Sequence, residues 1–193
     1  ISTHKHLKLF GMRQTTYFLS LIFFWFVSSL AIAQEAPLDK LPSTLPLDKV
    51  EILQQYLQYP SVSGQEKAAG EYLQGICSAS GLHLQPFGEE EGNFNFAASL
   101  YPLSLAKPNL IFLHHLDVVP AGDSSEWIHP PFSGRLVDGE IWGRGAFDNK
   151  GVGIMQLAAI TRFVNQAKQT DLPFNITLLA VSGEETKGSS GAS

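Results

Sequence analysis

Three short segments of this 193-residue chain end apolar runs, or precede them, with acid and imidazole groups. Leu110-Ile111-Phe112-Leu113 runs into His114-His115-Leu116-Asp117. Gly143-Arg144-Gly145 leads to Asp148 at the head of another apolar segment, and the run from Ile176 to Val181 ends in Ser182-Gly183-Glu184-Glu185. On an extended chain His115 and Asp117 share one face, and His114 points the other way. A neutral imidazole is a good zinc ligand whose second ring N–H goes to a carboxylate or carbonyl, and Asp117 is placed to be that partner. In company with His115, Asp148 is a candidate bridging carboxylate, able to hold two cations about 3.5–4 Å apart. Glu184 and Glu185 diverge in an extended loop, so one can bind metal while the other carries a proton as a general base. One His and several carboxylates gathered at strand ends, where open α/β sheets form their sites, point to a borderline divalent metal such as zinc. Taken singly each group has a plainer reading: a loop histidine, a helix cap for Asp148, and a solvated acidic pair.

The elements that must position these groups follow from periodicity. Asp48 is placed to cap a helix whose apolar positions Val50, Leu53 and Leu57 fall on one face, and Pro60 stops it. Ser61-Val62-Ser63-Gly64 reads as a turn, and residues 65–79 as a second helix ended by Gly81. Leu82 to Phe87 and Phe94 to Leu100 read as strands around the acidic turn Glu89-Glu90-Glu91-Gly92. Leu110 to Leu113 reads as a buried strand. After Asp148 comes a helix with Val152, Met155, Ala159 and Phe163 at helical spacing, then the loop Asp171-Leu172-Pro173 and a strand over residues 174–181. This order predicts an α/β fold with a mixed sheet between helices. Asn175-Ile176-Thr177 matches a glycosylation pattern but lies in a predicted strand, which makes the match accidental. Cys77, the one cysteine, reads as a small buried apolar residue and excludes an internal disulfide.

Composition bounds the class. The chain is 44% hydrophobic and 16% charged, as expected of one globular domain. No acid precedes Glu35; from Gln34 onward 18 acids face 10 bases, a net charge of -8. An acidic body without a basic stripe argues against nucleic acid. The first methionine is Met12, and residues 1–11 read as upstream leader. From Arg13 the apolar core Tyr17 to Leu30 and Ala31-Ile32-Ala33 form a secretory signal with cleavage near Ala33. Export to a periplasm or out of the cell follows, with no stable membrane span; an uncleaved membrane anchor is the alternative. Residues 1–33 are thus leader plus signal, 34–47 a Pro-containing linker, and 48–193 the folded domain.

Five stretches resemble one known family. H-L-D-V-V-P-A (His115 to Ala121), W-I-H-P-P-F-S-G (Trp127 to Gly134), D-G-E-I-W-G-R-G-A-F-D-N-K-G (Asp138 to Gly151) and S-G-E-E-T-K-G-S-S-G-A (Ser182 to Ala192) are similar to the di-zinc metallopeptidases. That group includes carboxypeptidase S, Gly-X carboxypeptidase, glutamate carboxypeptidase, aminoacylase and succinyl-diaminopimelate desuccinylase. Tyr59 to Gly64 resembles the family's early P-S-x-S-G turn. The I-W-G-R-G and W-x-H-P-P-F-S-G pieces look most like the carboxypeptidase S branch, although Gly183 stands where that branch often has an Asp.

The resemblance implies a zinc-exopeptidase-like fold, of which this chain carries the first part of the catalytic domain. It implies His115 on one zinc, Glu185 on the other and Asp148 bridging, with cobalt or manganese as alternatives. Glu184 would be the general base and Asp117 the support of His115. The Asp148–Asn149 peptide would be cis. The implied reaction is hydrolysis of a peptide or of an N-acyl amino acid amide bond, by a carboxypeptidase or a deacylase. The resemblance implies that the family's remaining ligands and its dimerisation domain, through which a homodimer would form, would lie beyond Ser193. The chain by itself is therefore expected to bind zinc weakly and to hydrolyse nothing. A non-catalytic binding protein that keeps the fold is the reading from a different class.

Overall fold

The computed structural model describes residues 43–88 and 94–186. Asp48 accepts a hydrogen bond from the Val50 N–H at 2.8 Å and opens helix α1, Lys49–Leu57. Such a cap contributes roughly 1 kcal/mol. The buried residues of α1 are Ile52, Tyr56 and Leu57, while Val50 and Leu53 stay partly exposed. The core stripe is therefore rotated from the expected one toward Tyr56, whose ring is apolar and whose hydroxyl finds a buried partner. Helix α2, Lys67–Ala79, ends in a Schellman motif: Gly81, at φ +87°, donates to Ser78 O, and the Leu82 N–H reaches back to Cys77 O at 3.2 Å. Cys77 is free and buried, as expected.

Strands β1 (His83–Phe87) and β2 (Asn95–Ser99) follow, then β3 (Asn109–His115). A short hairpin, β4 (Arg135–Val137) and β5 (Glu140–Trp142), turns at Asp138-Gly139, both with positive φ. Helices α3 (Lys150–Thr161) and α4 (Val164–Gln169) lead to β6 (Asn175–Val181). The main sheet has the order β1-β2-β6-β3. β6 is antiparallel to β2 and parallel to β3, so the fold is α/β with a mixed sheet, as expected.

Phe96 and Ala98 of β2 and Ile176, Leu178 and Ala180 of β6 share one face. They form a single core with Tyr56, Leu73, Cys77, Ile154, Leu157 and Ile160 of the helices. Two expectations are corrected here. The helix after Asp148 buries Ile154, Leu157 and Ile160, whereas Met155 is 63% exposed and Ala159 is exposed. That helix is apolar nearly all round, so spacing alone does not select its inner face. Strand β3 is not a buried strand: Leu110, Ile111 and Leu113 are each more than half exposed. Among the described residues β3 pairs only with β6, and an apolar run does not distinguish an edge strand from a central one.

Asn175 is buried and exchanges hydrogen bonds with the Tyr101 backbone, so its N-x-T pattern is structural. Ser43 and Thr44, inside the stretch read as linker, bond to Thr161 and Ser80. The leader and signal segment, the acidic turn and the end of the last motif lie outside the described residues. Among the described residues no helix is long and apolar enough to cross a membrane.

Candidate metal centre

Parallel pairing of β3 with β6 sets His115 opposite Val181, so both strands deliver their C-terminal ends side by side. The segment after β3 is strapped down. Leu116 N–H donates to Val181 O at 2.8 Å, Val118 N–H to Ser61 O at 2.9 Å, and Ser61 Oγ–H to Leu116 O at 2.7 Å. Gly145, at φ +85°, brings the third segment against this strap; a Cβ there would lie 2.7 Å from Val118 Cγ1. The Asp148–Asn149 peptide is cis, as the resemblance implies.

These constraints bring His115, Asp148 and Glu185 together, with one ligand atom of each within 4.8 Å of the others. His115 is buried; its Nε2 lies 3.1 Å from Asp148 Oδ1 and 4.0 Å from Glu184 Oε2. Asp148 and Glu184 face solvent, with side chains 71% and 50% exposed. Five side chains singled out in the sequence therefore meet in one place: His115, Asp117, Asp148, Glu184 and Glu185. Arg144 stays apart from them, its guanidinium 5.0 Å over the Trp127 ring.

Asp117 differs in detail from its expected part. The His115 Nδ1–H donates to the Asp117 backbone carbonyl at 3.0 Å, and the Asp117 carboxylate is farther away at 3.5 Å. That carboxylate, fully buried, accepts from Ser63 Oγ–H at 2.7 Å and from the backbone N–H groups of Glu184 and Glu185 at 3.1 and 3.0 Å. It thus ties the acid loop to the imidazole segment. Gly183, at φ +72°, makes the turn that aims both N–H groups at Asp117, which gives a local reason for glycine there.

The charges follow this geometry. Burial disfavours the Asp117 anion, but the bonds from His115, Ser63 and the two N–H groups outweigh it and hold the pKa down at about 2. Burial also opposes a charged His115; hydrogen bonds to Asp117 and Asp148 prevail and raise it to about 9. Partial burial, with Asp148, Asp117 and Glu184 nearby, raises Glu185 against the pull of His115. A cation among these groups would replace the proton on His115 and relieve the repulsion between the carboxylates. One imidazole and two carboxylates are a donor set suited to zinc. The residues present therefore fit a divalent metal.

Residues outside the expected set complete the site. Ser63 holds Asp117. Its position in the Ser61–Gly64 turn was visible in the sequence, its bond was not. Glu66 is buried, accepts from the Gly64 N–H at 2.9 Å, and has its pKa raised by burial. His114, on the opposite face of β3, is buried against Tyr56 and Asn149, and burial lowers its pKa to about 4. Lys150 is buried as well, which lowers it to about 7; its ammonium donates to the carbonyls of Tyr56 and Tyr59.

Known proteins are similar to this chain over much of its length. The profile of peptidase family M20/M25/M40 matches residues 111–193. The succinyl-diaminopimelate desuccinylase of Methylorubrum extorquens is 34% identical over 135 residues, covering 69% of this chain and 35% of that protein. The desuccinylase of Ehrlichia canis is 33% identical over 121 residues, 61% of this chain and 31% of that protein. Among solved structures, the M20 family metallo-carboxypeptidase Sso-CP2 from Sulfolobus solfataricus is similar at a TM-score of 0.61 and 28% identity, covering 74% of this chain and 32% of that one. Human carnosine dipeptidase 1 is similar at a TM-score of 0.58 and 25% identity, covering 74% and 33%. The chain spans about a third of the length of these relatives. Across residues 111–193, this chain is therefore similar to peptidase family M20/M25/M40.

Proposed function

We propose that this chain supplies the metal-binding and proton-handling groups of a zinc-dependent hydrolase acting on a peptide or N-acyl amino acid amide bond. The observation that carries the proposal is the convergence of His115, Asp148 and Glu185, with the half-exposed carboxylate of Glu184 beside them. In this reading His115 and Glu185 would each hold one of two zinc ions, with Asp148 shared between them. Zinc there would polarise the scissile carbonyl and lower the pKa of water. Glu184 takes the proton of the attacking water on its carboxylate and returns it to the leaving amine nitrogen. The C–N bond breaks, a C–O bond forms, and Glu184 ends as it began. Asp117 keeps both ends of the site in register: its carbonyl orients the His115 ring, and its carboxylate holds the backbone of Glu184 and Glu185.

The cluster offers each ion of such a pair two protein donors, and a stable zinc site takes three or four. We therefore propose that the activity belongs to a longer protein in which further ligands, and a surface for homodimerisation, lie outside these residues. This chain alone would bind zinc weakly. The carboxypeptidase reading follows the similarity to a metallo-carboxypeptidase; the similarity to two desuccinylases favours a deacylase as the second reading. Export, directed by residues 12–33, belongs to the same proposal.

The test uses the zinc-loaded protein that contains this chain, assayed on dipeptides and on N-acyl amino acids. Turnover of one class that is lost with a chelator and in Glu184→Gln, with zinc still bound in that variant, is the expected result. Full turnover by Glu184→Gln would remove Glu184 from the mechanism.

A further inference from the structure

Asp148 is an exposed side chain bonded to His115 at 3.1 Å; the backbone that carries it sets where its carboxylate can reach, and the next two residues are both clamped. Asn149 is the N-cap of α3, yet its side chain makes no bond to the helix it caps. Its Oδ1 instead accepts from His114 Nδ1–H at 2.6 Å. With that proton on Nδ1, His114 Nε2 is the acceptor for the Tyr56 hydroxyl, 3.0 Å away. The imidazole lies directly on α3 at Gly153, where any Cβ would overlap the ring. Gly153 is one helical turn from Asn149 and donates its N–H to the Asn149 carbonyl at 2.9 Å. Lys150 adds the second clamp, its ammonium bonded to Tyr56 O and Tyr59 O and lying 4.7 Å over the Tyr56 ring.

We infer that His114 is a positioning residue for Asp148: the hydrogen-bonded chain Tyr56–His114–Asn149 spends the side chain of the α3 N-cap on fixing where the metal-facing carboxylate stands. His114 touches neither substrate nor metal; it acts through Asn149. β3 thus serves the site with both faces, His115 directly and His114 from behind. An apolar residue of similar size would fill the same space but leave the Asn149 oxygen without its donor. The inference rests on the reading of Asp148 as a ligand.

The test is cobalt(II) titration of the full chain, read by its visible absorption and by chelator competition, beside a thermal melt of each variant. His114→Phe preserves apolar packing and removes the donor. His114→Asn is smaller and packs less well, but places an N–H near the Nδ1 position. A positioning role predicts that His114→Phe loses about tenfold in cobalt affinity with an altered spectrum, while His114→Asn melts lower yet stays closer to the unsubstituted chain in affinity. A merely structural role predicts the opposite order, and that order would overturn the inference. Where His114→Phe does not fold, His114→Gln replaces it, since its amide reaches toward Tyr56 and not Asn149; undiminished affinity in that variant would overturn the inference. Undiminished affinity in His114→Phe would sink the positioning role alone. Failure of the unsubstituted chain to bind cobalt would sink the metal reading, and this inference with it.

Discussion

Replacing Asp117 with Asn changes one atom at the junction of the site. The carboxylate has two oxygens, one accepting from Glu184 N–H and the other from Glu185 N–H and Ser63 Oγ–H. An amide in the same pose has one oxygen, so whichever way it turns, its NH2 faces a backbone N–H. The least costly orientation strands the Glu184 N–H, which costs about 1–3 kcal/mol when buried. The pKa gives a second route to the magnitude. Asp117 falls from 3.8 to about 2 on folding, which converts to about 2 kcal/mol of stability at neutral pH. The two routes count the same interactions and are not added. Asp117→Asn should therefore lower stability by about 2–3 kcal/mol at pH 7. The sign of the pH dependence is fixed. A carboxylate with a depressed folded pKa stabilises fully above its unfolded value and loses that contribution as pH falls through the folded one. The gap between the unsubstituted chain and the variant should thus hold above pH 4 and close as the pH falls toward about 2. Urea unfolding of both proteins at a series of pH values measures it. Equal midpoints at pH 7, or a gap that persists unchanged at the acid end, would refute the assignment of Asp117 as the tie between the two segments.

The inner face of α3 is tested by a pair of truncations: Leu157→Ala should cost about 2–5 kcal/mol, and Met155→Ala about 0.5 kcal/mol or less, both read from urea midpoints. Gly183→Ala places a Cβ at φ +72° and should cost about 1 kcal/mol. If the turn exists to aim the acid loop, that variant should also bind zinc more weakly, by chelator competition, than its lost stability accounts for. An affinity unchanged from the unsubstituted chain would separate the turn from the site.

The residues of the site were more legible in the sequence than the surfaces that carry them. His115, Asp117, Asp148, Glu184 and Glu185 stand out because imidazole and carboxylate groups recur together beside apolar runs, although each alone has a plainer use, and the fold does bring them together. The Asp48 cap and the Gly81 stop were legible for a similar reason: each is a local device whose chemistry is complete within a few residues. The misplaced faces are of another kind. Val152, Met155 and Ala159 fit a helical stripe as well as Ile154, Leu157 and Ile160 do, and only packing against β3 and β6 distinguishes them. Leu110, Ile111 and Leu113 look buried by composition, while β3 is the edge strand among the described residues and leaves them exposed. The Asp138-Gly139 dipeptide between short apolar runs is a usable local hairpin signal, and the β4–β5 turn falls there. His114 shows the limit most clearly. Its direction away from His115 follows from strand alternation, but its partners Tyr56 and Asn149 are 58 and 35 residues away in the chain.

The central claim is that His115, Asp148 and Glu185 form a metal site, and zinc binding to the purified chain tests it most directly. Chelator competition should show zinc bound weakly by the unsubstituted chain, with affinity cut by about tenfold or more in each of His115→Ala, Asp148→Ala and Glu185→Ala. Zinc affinity that is indifferent to all three substitutions would contradict the account.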